Sequence, residues 1–286
     1  MTATAPAYVS PEADPHLTVI EARSAWWRIP WGELWAGREL LMHLVLRDIK
    51  VRYKQTVLGA AWAILQPISA VAVFSLFLGK LAKIPSDGIP YPLFAYSGML
   101  LWQFFSRSLG EASISLAANE RLINKVYFPR LYVPTAVVLA ALVDLAISLV
   151  VAVPFMAYYG FHPRASVILL PPIIFLTLVT GLGIALVFSA LDVRYRDVRY
   201  VLPLVIQIWM FCSPVVYPSS LVPAKWRLLL ACNPMVGLID TFRVGLVGAG
   251  SVPWTMLLVS CGAAVALLFL GLFVFQKTER RISDVV

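Results

Sequence analysis

Charge is scarce in this chain: Asp, Glu, Lys and Arg make up 13% of its 286 residues, while 60% are hydrophobic and the mean hydropathy is +0.82. An ordinary soluble domain is about 25% charged and about 45–50% apolar, so a soluble globular fold is excluded. Cysteine is nearly absent. Cys212, Cys232 and Cys261 are widely spaced, form no CxxC and have no histidine nearby, which argues against a disulfide framework or a zinc site. The three histidines, His16, His43 and His162, are scattered, and no HExxH, GxSxG or paired carboxylate cluster is present, so a membrane-embedded enzyme is the weaker class and no metal site is expected. The one Gly-Lys pair, Gly79-Lys80, lacks the upstream glycine and the following Ser or Thr of a phosphate-binding loop. Any ATP must therefore be handled by another chain. The first 22 residues hold no Lys or Arg, and Met1 to Pro15 has Pro and acidic residues where a signal peptide needs a basic flank and an apolar stretch, so no cleaved signal is expected.

What the chain has in abundance is long apolar runs. Six segments have about the 20 residues that a spanning helix requires: Val57–Leu81, Tyr91–Arg107 with an extension to about Leu116, Tyr132–Tyr159, Val167–Ala190, Tyr200–Tyr217 and Val252–Phe275. A formal charge of +8 would suggest nucleic acid in a soluble protein, but here its location decides. Of the 23 Lys and Arg residues, 17 fall in the alternate segments that include both termini and 6 in the others. The positive-inside rule then puts both termini in the cytoplasm, and no nucleic-acid partner is expected.

Residues 1–30 read as a disordered cytoplasmic tail, rich in Ala, Pro, Ser and Thr without periodicity. Residues 31–55 change to helical periodicity, with Trp35, Met42, Leu46, Ile49 and Tyr53 on one face and Glu39, His43, Arg47, Lys50 and Lys54 on the other. That pattern fits an amphipathic helix lying on the membrane, or a surface helix packed on a partner. A six-span unit over 56–275 and a tail over 276–286 complete the expected all-α integral membrane fold. The fifth segment is interrupted by Pro203 and Pro214, and the half-apolar stretch from Leu221 to Gly248 holds two helical pieces separated by Asn233-Pro234. Its apolar residues need cover, so a re-entrant helical pair before the last span is expected.

Few charges stand inside the apolar segments, because each costs about 2.5–3.5 kcal/mol or more at a helix centre. Asp144 lies mid-segment and is open to two readings, a structural hydrogen bond to another helix or a place on a transport path. Arg107 and Glu111, four apart, suit a helix-surface ion pair. The stretch Ala117–Pro129 reads as a short amphipathic helix, with Leu122, Ile123 and Val126 set against Glu120, Arg121, Asn124 and Lys125, fit either to dock into a partner or to serve as a solvated connector. The Asp192–Tyr200 patch, including Arg194 and Arg196, alternates charge with aromatics and suits anionic headgroups, the same partner, or a solvated turn.

The run Arg52-Tyr-Lys-Gln-Thr-Val-Leu-Gly59 with Trp62 and Pro67, then Phe128-Pro-Arg-Leu-Tyr-Val-Pro134, Arg196-Asp-Val and Asn233-Pro234, resembles the permease subunit of ABC-2 type polysaccharide exporters, the O-antigen and teichoic-acid group. The resemblance covers about residues 33–280, and the longer tail before residue 30 departs from it. It implies a homodimer of six-span subunits in the inner membrane, paired with two copies of a separate ATPase that binds ATP and Mg, with no cofactor in this chain. It further implies that the segment from Glu120 to Lys125 is a coupling helix, flanked by the N-terminal amphipathic helix and the Arg194–Arg199 turn, and that 221–248 is an outer gate. The implied cargo is a polysaccharide linked to a lipid, commonly undecaprenyl diphosphate.

A sliding glycan needs weak, repeated contacts, which aromatic faces supply. Trp62, Phe74, Phe77, Trp102, Phe104, Trp209 and Phe211 are the candidates, each of which could equally be a packing or interfacial-belt residue. Arg47, Arg52 and Lys54, just before the first span, are candidates for the diphosphate head. The competing classes are an ABC-2 drug or lipid exporter, which shares the architecture, and a proton-coupled secondary transporter, which would normally show inverted repeats and more intramembrane acidic residues.

Overall fold

A computed structural model describes residues 31–54, 61–126 and 128–285, and among these all regular structure is helical. The expected N-terminal tail, the residues joining the amphipathic helix to the first span, and Tyr127 lie outside the described residues.

Helices α1 (Trp31–Ala36) and α2 (Arg38–Lys54) lie against α7 (Tyr132–Tyr158), where the Tyr132 hydroxyl donates to the Leu34 carbonyl at 2.9 Å. Leu44 is buried in a cluster with Phe128, Tyr132, Val133, Ala136 and Phe275, with Leu41 and Val45 packed beside it. The packing face is therefore only in part the expected apolar one, since of that face Tyr53 turns inward, to Asp144. Trp35, Met42 and Leu46 point the opposite way and are exposed, so α2 has one apolar aspect toward the protein and another turned outward, as a helix seated on a bilayer requires.

Helix α3 (Ala61–Phe74) carries Pro67 and runs on as a π-helical segment, Ser75–Leu81. Helix α4 (Tyr91–Ser113) is the centre of the molecule. It packs on α3, α7, α8 (Leu170–Arg194), α9 (Val198–Phe211) and α11 (Pro234–Val247), and burial of Leu93, Phe94, Ala95, Leu101, Phe105 and Leu109 is complete or nearly so. Four described helical stretches are long and apolar enough to cross a bilayer: Ala61–Leu81, Tyr132–Tyr158, Ala165–Arg194 and Trp254–Thr278, the last within α12 (Trp254–Val285). Helix α4 reaches span length but carries polar residues on one side; it tolerates them because neighbouring helices surround it. Helix α9 stops at Phe211 and not at the expected Tyr217. Its 14 residues extend about 21 Å at about 1.5 Å each, short of a hydrocarbon core of about 30 Å.

Helices α8 and α12 cross at two glycines. A Cβ on Gly271 would sit 2.0 Å from the Gly183 carbonyl oxygen, so only glycine permits this approach, the small-residue contact that lets membrane helices gain dispersion contacts. Between α9 and α12, α10 (Ala224–Ala231) and α11 meet at a bend of 97°, with Asn233 capping α11 by accepting from the Met235 amide at 3.0 Å. The two helical pieces expected around Asn233-Pro234 are thus present, and α11 is almost wholly buried.

The connector after α4 departs from expectation. It is not one amphipathic helix but two single turns, α5 (Ser115–Ala118) and α6 (Glu120–Ile123), broken at Asn119, whose side-chain amide donates to the Ser115 carbonyl at 2.9 Å. That bond diverts the backbone, as Asn tends to do inside helices.

Candidate functional site: a polar cleft and its charge cluster

One face of α4 is polar. Gln103, Ser106, Arg107, Gly110 and Glu111 recur at steps of three, one, three and one, so they share a side of the helix. This stripe faces Gln66 on α3 and the residues Arg199, Leu202, Pro203 and Ile206 on α9, enclosing a cleft of about 500 Å³. One wall thus offers amide, hydroxyl, guanidinium and carboxylate groups, and the α9 wall, apart from Arg199, offers C–H surface.

The cleft rests on a cluster that joins four helices. Arg107 Nη1 donates to Asp144 Oδ2 on α7 at 2.7 Å and its Nη2 to Gln66 Oε1 at 3.0 Å. Arg52 of α2 donates to the same Asp144 oxygen at 2.5 Å and to Glu111, and the Tyr53 hydroxyl donates to Asp144 Oδ1. Burial, then the hydrogen bond to Asp144, push the Tyr53 phenol up to about 12, so it remains a donor at physiological pH. Two cations and two carboxylates cancel formally, which suits a site where the Asp144 and Arg52 side chains are only 12% and 18% exposed.

These positions revise several expectations. Arg107 and Glu111 are not an isolated surface pair: their own contact is 3.8 Å, and each is tied more closely to another helix. Asp144 makes interhelical hydrogen bonds. It stands at the middle of α7, 12 residues from Tyr132, where α1 and α2 pack, and 14 from Tyr158. Arg52 points into the protein, not toward an open surface, whereas Lys54 is exposed and Arg47 pairs with its neighbour Asp48 at 2.7 Å.

Glu120, Arg121, Asn124 and Lys125 are all exposed at this end, while Leu122 and Ile123 pack inward. Arg194 and Arg196 are exposed in the following turn, where Arg199 grips buried Asp192 with two bonds, at 2.9 and 3.2 Å. Of the aromatic candidates, Trp62, Phe77 and Phe211 are exposed, and Phe74 and Trp209 are half-buried against the core. Trp102 and Phe104 are buried, at 3% and 4% exposure, and α4 turns its polar stripe, not these rings, to the cleft.

The structure also brings together residues that composition and spacing had not singled out. Gln103 and Ser106 were legible only as part of a polar stripe at helical spacing, and Gln66, on α3, joins them only in the folded chain. At the opposite end, Arg243 of α11 donates to Asp240 at 3.0 Å and to the Pro214 carbonyl at 2.8 Å, in a fully buried pair.

Charged and polar side chains gathered between apolar helices mark a functional site in a helical membrane protein. Comparison narrows this: residues 39–247 match the ABC-2 type transporter family, and the chain is a member of it. The O-antigen export system permease protein RfbA of Myxococcus xanthus is 32% identical over 214 residues, 74% of this chain and 81% of that protein. A protein of the same name from Klebsiella pneumoniae is 29% identical over 252 residues, 87% of this chain and 95% of its own length. The polysialic acid transport protein KpsM of Escherichia coli is 23% identical over 240 residues, 82% and 92% of the two chains.

Proposed function

We propose that this chain is the membrane subunit of an exporter that moves a lipid-linked polysaccharide, O-antigen-like and carried on undecaprenyl diphosphate, across the inner membrane. The observation that carries this reading is the two-sided cleft. A sugar ring has hydroxyl edges and C–H faces, and the α4 stripe with Gln66 matches the edges while Leu202, Pro203 and Ile206 match the faces. The export permeases named above, which align over most of their length, support the same cargo class.

In this reading the subunit has six spans, with both termini cytoplasmic and the α2 end facing the cytoplasm, as the 17 to 6 charge asymmetry favours. Helices α10 and α11 form the re-entrant outer pair. Two copies assemble with two copies of an ATPase that binds ATP and Mg, and the exposed set Glu120, Arg121, Asn124, Lys125, Arg194 and Arg196 is its docking face. Arg47 and Lys54 remain candidates for the diphosphate head, and exposed Trp62, Phe77 and Phe211, with Phe74 and Trp209, for guiding the chain of sugars. Deleting the gene should abolish surface glycan and leave lipid-linked polymer in the cytoplasmic leaflet, with both reversed by the wild-type copy. Undiminished surface glycan would overturn the reading, and loss of a small lipid or drug efflux phenotype instead would favour the exporter class without glycan.

A further inference from the structure

Helix α2 reaches the charge cluster behind the cleft through two side chains, Arg52 and Tyr53, of which only Arg52 brings charge. Arg52 donates to Asp144 and Glu111, and Glu111 lines the cleft beside Arg107. Arg107 shares Asp144 Oδ2 with Arg52, so the direction in which Arg107 points is set jointly by Asp144, Gln66 and the docked α2. The formal charge of this wall depends on the same contact. With Arg52 in place the four charges of the cluster sum to zero; without it, Asp144 and Glu111 outnumber Arg107 and the cluster behind this wall becomes net negative, because Arg199 across the cleft is already paired with Asp192. A negative wall repels an anion in a partly dehydrated cleft far more than it would in open water.

We propose that Arg52 is a positioning residue, which docks α2 so that Arg107 stays on the cleft wall and the wall stays neutral toward an anionic, hydroxyl-rich cargo. This rests on the export reading above. Arg52 touches no cargo in this role; it acts through Arg107, Asp144 and Glu111.

The test is charge rescue in the complete exporter, in cells whose wild-type copy displays surface glycan. If the wild-type copy displays none, the export reading itself fails. Arg52→Gln should lower export about tenfold or more, the effect of one uncompensated charge in a low-dielectric cleft. Arg52→Gln combined with Glu111→Gln removes one cation and one anion, restores neutrality, and should recover export to within a few-fold of wild type. Arg52→Lys, which keeps the charge, should export well above Arg52→Gln. A merely structural role also predicts that the double variant regains assembly, since no charge is left stranded, but it predicts that Arg52→Gln exports at the wild-type level per assembled complex, whereas a positioning role predicts a loss of export from complexes that have assembled. The proposal is overturned if the double variant exports no better than Arg52→Gln, if Arg52→Gln is unaffected, or if single and double variants both fail to assemble. A single variant that assembles but exports poorly, with export per assembled complex restored in the double variant, supports it.

Discussion

The guanidinium carbon of Arg243 sits over the ring of Phe94, 3.7 Å from its centroid, and so ties buried helix α11 to central helix α4. The same group donates to the carbonyls of Pro214 and Val215, which locks the turn after α9 onto the pair. Gly98 leaves the room for this, because a Cβ there would come within 2.4 Å of the Val215 oxygen and 2.9 Å of Arg243 Nη2.

Arg243→Ala should therefore destabilise the protein by about 3–5 kcal/mol, because it leaves Asp240 buried without its cation. Thermal unfolding of the purified protein in detergent measures this. A loss within the scatter of surface substitutions would mean that the pair does not hold α11.

Gly271→Leu should cost about 1–3 kcal/mol or more by forcing α12 off α8 at the Gly183 contact. Conservative change at exposed Gly262 should be nearly silent, since nothing lies within 4 Å of a Cβ there. Melting temperatures of the two variants side by side decide it.

The aromatic residues should split into two groups. Trp102→Ala removes a buried ring and should cost about 3–5 kcal/mol of stability, with export falling only as the protein is lost. Trp62→Ala removes a half-exposed ring; it should leave the melting temperature within about 0.5 kcal/mol of wild type in free-energy terms and reduce export per assembled complex. Glycan display normalised to membrane protein level separates the two.

Replacing Glu120 and Arg121 together by alanine should leave insertion and folding intact, because both side chains are exposed, and should abolish stimulation of the partner ATPase. ATPase turnover of the reconstituted complex is the measurement. Wild-type stimulation would make α6 a connector.

Cysteine labels at Ser86 and Ser219, in a background without Cys212, Cys232 and Cys261, should react from outside intact cells, and a label at Ser283 only after permeabilisation. The opposite pattern would invert the topology.

The helical membrane class and most element boundaries were legible in sequence, because burying a backbone in hydrocarbon demands long helices and the apolar runs mark them: Tyr132–Tyr158 differs by one residue from its expected range. The orientation proposed above rests on the alternating Lys and Arg density. Local chemistry failed in short segments. Asn119 breaks the turn pair α5 and α6 where periodicity alone continued a helix, and α9 ends early because the chain folds back at Cys212–Tyr217.

The sequence by itself determined that this chain is an all-helical membrane protein with a family motif around Arg52, since hydropathy and residue order are properties of a single strand of text. Only the tertiary structure decided what Arg52, Asp144, Arg107 and Glu111 do, because they come from three different helices, up to 92 residues apart, and composition cannot say which charges will share a low-dielectric site. It also decided which side of α4 faces the cleft. Trp102 and Gln103 are neighbours in the chain, but a helix turns about 100° per residue, so one is buried in the core and the other lines the polar wall.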